Sequence, residues 1–169
     1  MILGISSAST TAGQQLADGV THKVIATPGV LDGGIEGIEL WHDYDSFALY
    51  RVSDATWQAL PDDVRAAVTP AGDRERIMIE GFEEAVAAGE HTVTAVSGPS
   101  LQIVQFVGPI KDEWLAAVES VGATPVQYIA TNGYLLWADA AARAELDKLV
   151  ENGDFLQFSA PYPKPLKVG

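Results

Sequence analysis

Residues 104–146 read "VQFVGPIKDEWLAAVESVGATPVQYIATNGYLLWADAAARAEL", and this stretch decides the fold. Its start belongs to "LQIVQFVG" (101–108), which alternates apolar and polar residues and is rich in β-formers, so it predicts a half-buried strand. Gly108-Pro109 ends it. In "IKDEWLAAVESVG" the residues Ile110, Trp114, Leu115, Val118 and Val121 recur at helical spacing. Asp112 and Glu113 lie in the first turn, where the helix dipole favours them, and Gly122 suits a stop. "TPVQYIAT" predicts a second strand. Asn132-Gly133 is a hairpin signal, because both residues tolerate φ > 0. "YLLWA" is the third strand. Asp139 reads as the N-cap of "AAARAELDKLVENG", which stops at Asn152-Gly153. "FLQFSAPYP" closes as a fourth strand. The order is β-α-β-β-α-β, a ferredoxin-like split unit in an α+β fold with antiparallel sheets.

The first half repeats part of this pattern. "THKVIATPG" (21–29) reads as a strand, and "IELWHDYDSFALYRVS" (38–53) as two strands around a turn near Asp43–Ser46. Asp54 reads as the cap of "ATWQALPDDVRAAV", and "RERIMIE" (74–80) as the returning strand. "SFALYRVSDATWQAL" and "NGYLLWADAAARAEL" both run turn, aromatic-rich strand, aspartate, helix, about 85 residues apart, the mark of an internal repeat. "VLDGGIEG" stands where the first helix of the first copy belongs and is too glycine-rich for one. The expected organisation is therefore tandem modules: an N-terminal arm over 1–20, a first, degenerate module over 21–80, a linker over 81–100, a second module over 101–165, and a tail over 166–169.

Composition narrows the function. Of 169 residues 47% are apolar, enough for a packed core, and the net charge is −13. Such acidity opposes nucleic acid, whose phosphates need Lys and Arg, and opposes anionic membrane surfaces. With no cysteine there is no disulfide, thiolate metal site or cysteine nucleophile. The start, "MILGISSASTTAGQQLADG", lacks the basic region and apolar run of a signal peptide. No apolar run reaches the roughly 20 residues of a membrane-spanning helix.

Catalytic chemistry has little to work with. His22, His42 and His91 sit in no catalytic signature, and no G-x-S-x-G elbow is present. "HDYD" (His42, Asp43, Asp45) looks like a ligand cluster but lacks a fourth partner, and aspartate and tyrosine are ordinary turn residues. "GGIEG" lacks the Lys-Ser/Thr of a phosphate loop. No cofactor and no metal are expected. Trp41, Trp57, Trp114 and Trp137 fall at apolar-face positions and are assigned to the core. The remaining candidate is "SAPYPKPLKVG" (159–169). Its prolines exclude a central strand or helix and favour an extended segment.

The second half, with its "IVQFVGPI" strand, "DEWLAAVESVGA" helix, "YIATNGYLLWAD" and "PYPKP" exit, resembles the N-terminal propeptide of secreted subtilisin-like serine proteases. "LWHDYDSFALYRVSDATWQALPDDV" in the first half resembles the upstream region of longer precursors of this kind. The resemblance covers most of residues 21–165 and implies a ferredoxin-like domain whose sheet lies on surface helices of the protease and helps it fold. It implies an inhibitory tail entering the substrate cleft, here Ser159, Ala160, Pro161, Tyr162, Pro163, Lys164, Pro165, Leu166 and Lys167. Carboxylates on the sheet face would cap helix N-termini of the enzyme. It also implies a chain that is itself non-catalytic, since no catalytic triad lies in it. The partner is then a subtilisin-like catalytic domain, with no nucleic acid and no membrane involved. The setting is extracellular or cell-surface, as part of a secreted precursor. Two other classes stay open: a non-inhibitory protein-binding or structural module, and a small-ligand or enzymatic domain.

Overall fold

A computed structural model of the chain describes residues 19–31, 34–72, 76–79, 82–85 and 97–162. The arm over 1–20 therefore lies almost wholly outside the described residues, as do most of the expected linker and the tail from Pro163 onward. The chain divides into two compact units, Met1–Thr69 and Pro70–Gly169. Both are built on antiparallel sheets with helices, an α+β fold.

In the first unit the strands are β1 (Thr21–Ala26), β2 (Ile38–Asp43) and β3 (Ala48–Ser53), followed by helices α1 (Asp54–Ala59) and α2 (Asp62–Ala66) and strand β4 (Val68–Pro70). Sheet order is β2-β3-β1-β4. Val24, Ala26, Ala48, Tyr50 and Val52 face the helix side, where Leu31 and Val68 join them and Trp57 and Val64 pack. Two expectations move. The helix expected after residue 54 breaks in two at Leu60-Pro61, because proline cannot continue the hydrogen-bond ladder. The chain accordingly returns early: β4 beside β1 is the fourth strand, with Val68 7% exposed. The expected returning strand, 74–80, instead contributes β5 (Arg76–Ile79), which pairs with β6 (Phe82–Ala85) in a separate ladder.

The second unit carries β7 (Ser100–Phe106), α3 (Asp112–Ser120), β8 (Thr124–Ile129), β9 (Gly133–Ala138), α4 (Ala140–Asn152) and β10 (Leu156–Pro161). The sequence pattern gives these six elements in this order. The sheet runs β10-β7-β9-β8, all antiparallel. One face packs on the helices. Val104, Leu136 and Leu156 are 0% exposed there, with Val118 of α3 and Leu146 of α4 equally buried. Trp114 stacks on Phe106 and Phe155 with centroids 6.0 and 5.9 Å away. Arg143 ties the start of α4 to the sheet by donating to the carbonyls of Gly98 and Ala138. Gly153 takes the left-handed conformation that ends α4.

Both units share a strand order. Numbering strands within each unit, the first runs 2-3-1-4 and the second 4-1-3-2, the same order read from opposite edges. The second strand of each carries a one-residue bulge, at Trp41 in β2 and Val126 in β8. The caps correct the sequence alignment by one residue. Asp139 Oδ1 accepts from the Ala142 amide as expected. The equivalent in the first unit is Ser53, whose Oγ accepts from the Thr56 amide, and Asp54 is the first residue of α1. A hydroxyl and a carboxylate thus do the same task, which residue-by-residue matching of aspartates overlooks.

The hairpin between β8 and β9 also shifts by one. Thr131 and Asn132 hold the positive φ angles of +61° and +60°, and Gly133 opens β9. Gly133 serves close approach instead: a Cβ there would stand 3.2 Å from the Ile129 Cβ.

Ser53→Ala and Asp139→Ala should each destabilise their own unit by about 0.5–2 kcal/mol in urea titrations followed by circular dichroism. Leu136→Ala should cost the second unit about 2–5 kcal/mol.

Candidate docking face

Directly paired residues of an antiparallel sheet lie on one face, and alternate residues along a strand share it. Ile103 pairs with Leu135 on one side and Ala160 on the other, Leu101 with Trp137, and Gln105 with Gly133 and Phe158. These residues all lie on the face opposite α3 and α4. Ile103 and Phe158, 3% and 8% exposed, form a buried cluster there with Ile129, Leu135, Ala160 and Tyr162 packed against it, and no helix residue belongs to it, so the centre of this face is already covered within the chain. Trp137 is 48% exposed on this face. The expectation that all four tryptophans serve the core fails at Trp137. Period-two patterning marks the residue as one-sided without saying which side holds the helices.

The strands of this sheet contain no Asp, Glu, Lys or Arg. In a chain of net charge −13, the charges described between Ser100 and Tyr162 sit on helices and loops. Carboxylates expected on the sheet face are therefore absent from it. A partner meeting this face loses no charge hydration from these strands, and burying the exposed half of one indole contributes on the order of 2 kcal/mol.

The tail residues divide. Ser159, Ala160 and Pro161 are inside β10, opposite Val104, Ile103 and Gln102. Tyr162 extends the ladder by one bond, its amide donating to the Leu101 carbonyl at 2.8 Å. Pro163, Lys164, Pro165, Leu166 and Lys167 lie outside the described residues. The paired strand ends inside the "FLQFSAPYP" segment expected for it, at Pro161. Pro161 is tolerated because β10 is an edge strand.

The corresponding face of the first unit has different chemistry. Counting two residues back from each cap, Arg51 is equivalent to Trp137. Its cross-strand neighbours Glu39 and Lys23 are equivalent to Thr124 and Leu101. Arg51 lies over the Trp41 ring at 3.7 Å, and Glu39 is 3.7 Å from the Arg51 guanidinium. Charged side chains therefore occupy in the first unit the places that leucine and tryptophan occupy in the second.

The histidines show no catalytic grouping. His22 Nε2 lies 2.7 Å from Asp54 Oδ1, and its ring stacks on Trp57 at 5.2 Å, linking β1 to α1. In "HDYD", Asp43 accepts from the Asp45 amide at 2.9 Å, and Asp45 sits at φ +63°, so the two aspartates build the turn. Tyr44 stacks on Phe47 there, and burial pushes its phenol above the ordinary value. His91 lies outside the described residues. Among the described residues no group of three or more His, Asp or Glu is placed to hold a metal. No described helix is long and apolar enough to cross a membrane.

A family model described as "Domain of unknown function (DUF8729)" matches residues 52–162, more than half of the chain, and the chain belongs to that family. The match runs from the end of β3 through Tyr162 and takes in the whole second unit sheet. No curated protein and no solved structure matches.

Trp137→Ala should change stability by no more than about 0.5–1 kcal/mol. Trp114→Ala, on the helix side, should cost about 3–5 kcal/mol by the same denaturation measurement.

Proposed function

We propose that this member of the DUF8729 family is a propeptide-like module. Its second unit docks on the catalytic domain of a subtilisin-like serine protease, assists its folding, and inhibits it through the segment leaving β10. The observation that carries the reading is Trp137, 48% exposed on the helix-free face of a sheet whose strands carry no charge, beside the buried Ile103 and Phe158. The β-α-β-β-α-β order with the last strand beside the first supports the ferredoxin-like form that the reading requires.

Size supports a role for the exit segment. A face of four strands about six residues long measures roughly 20 by 20 Å. Stable interfaces bury about 800 Å² per partner, and with Ile103, Gln105 and Phe158 already buried the open part of this face around Trp137 supplies well under half of that. On this reading residues 163–169 add the remainder when bound in the cleft. Their backbone groups pair with a cleft strand, and the folded sheet behind them lowers the cost of ordering them. The module contributes no chemistry of its own, and the reaction belongs to the partner. Such a partner places the complex outside the cell or at its surface.

The contrast between Arg51 and Trp137 supports docking through the second unit. On the first unit's face the paired charges of Glu39 and Arg51 would have to lose their hydration on contact.

One observation favours a second reading. Ser159, Ala160 and Pro161 are spent on sheet pairing, which shortens the free tail and suits a module that docks without inhibiting.

The test is a progress-curve titration of the full chain against a panel of subtilisin-type proteases. Tight inhibition is expected. It should disappear when residues 163–169 are deleted, with the circular dichroism unchanged, and weaken at least tenfold in Leu101→Lys/Trp137→Lys. Binding without inhibition by the full chain would select the second reading. Neither binding nor inhibition across the panel would end the protease assignment.

A further inference from the structure

We propose that Gln105 is a register clamp for the exit strand, determining which side chains β10 offers on the helix-free face. Gln105 is 0% exposed at the centre of the sheet. A buried amide costs free energy unless both its ends are bonded, whereas a leucine here carries no such cost. Its ends are bonded to two different elements. Nε2 donates to the Thr131 carbonyl at 3.0 Å, and Oε1 accepts from Gln157 Nε2 at 2.9 Å. Thr131 is one of the two positive-φ residues of the β8–β9 turn. Gln157 is the extra residue of a bulge: Leu156 pairs with Phe106, and the next pair is Phe158 with Gln105.

That bulge sets the phase of everything after it. A straight ladder continuing from Leu156 and Phe106 puts Gln157 opposite Gln105, Phe158 opposite Val104 and Ser159 opposite Ile103. The helix-free face then receives Gln157, Ser159 and Pro161. With the bulge it receives Phe158, Ala160 and Tyr162. A slip of one residue exchanges the two sets completely. The Thr131 bond fixes the direction of the Gln105 amide, so that its Oε1 accepts from Gln157 where the bulge places it. Gly133, opposite Gln105 on β9, brings no side chain into this path. The clamp goes beyond the docking reading and holds whatever partner the face meets.

The chain has no cysteine, so cysteine pairs report register directly. Directly opposed strand residues have Cα atoms about 4.5–5.5 Å apart, within disulfide range. In the full chain, Ile103→Cys with Ala160→Cys should cross-link under mild oxidation, and Ile103→Cys with Ser159→Cys should not. Adding Gln105→Leu should make the Ser159 pair a major product, read by mass spectrometry. Deleting Gln157 in that background should restore the Ala160 pair, because a straight ladder lacking residue 157 sets Ala160 opposite Ile103. General destabilisation gives low yields of both pairs and no rescue by the deletion. The proposal is overturned if Gln105→Leu keeps the original cross-link, or if deleting Gln157 fails to restore it. No protease enters the assay, so its outcome is separate from that of the docking experiment.

Discussion

A four-stranded sheet has two faces, and the two helices of the second unit cover one. The proposed docking role depends on how the other face is filled. Central strand β7 turns Val104 and Phe106 to the helices and Leu101 and Ile103 away from them, with one buried glutamine on each side, Gln102 and Gln105. The helix-free face mixes Leu101, Ile103, Phe158 and the half-exposed Trp137 with the polar Thr124, Gln127 and Gln105, and no strand of the sheet carries a charge. The helix side secures the fold through Leu136, Leu146, Val118 and Trp114. The opposite side buries Ile103 and Phe158 and leaves Trp137 half exposed.

The duplication clarifies this. Two units with the same strand order, the same bulge in the second strand and the same cap before the last helical segment have one ancestral plan. They differ in the chemistry of their helix-free faces. The first unit lacks a helix between its first two strands, and Glu39, Arg51 and Lys23 cross its helix-free face at the positions of Thr124, Trp137 and Leu101. A shared backbone with opposite surface chemistry separates what the fold requires from what docking requires.

Much of the second unit was legible in the sequence because local and tertiary signals agree there. Helical spacing over Trp114, Leu115 and Val118, the cap at Asp139 and the stop at Gly153 each name the element they occupy. The first unit was harder. Pro61 cuts the helical pattern, so the returning strand comes at Val68, before the more strand-like 74–80. The Asn132-Gly133 signal located the hairpin and misplaced its positive-φ pair, because Gly133 is needed for close strand contact. The site was half legible. The closing strand and its prolines were visible, but the role of Trp137 and the Gln105–Gln157 bond depend on facing and register. Those are fixed by pairings between segments tens of residues apart.

The central claim is that the helix-free face of the second sheet receives a protein partner. Hydrogen–deuterium exchange of the full chain, with and without a subtilisin-type protease whose catalytic serine is replaced by alanine, tests it most directly. The account predicts slowed exchange in β7, β9 and β10 and through Tyr162, with α1 and α2 of the first unit unchanged. Slowed exchange confined to α3 and α4, or to the first unit, would contradict it.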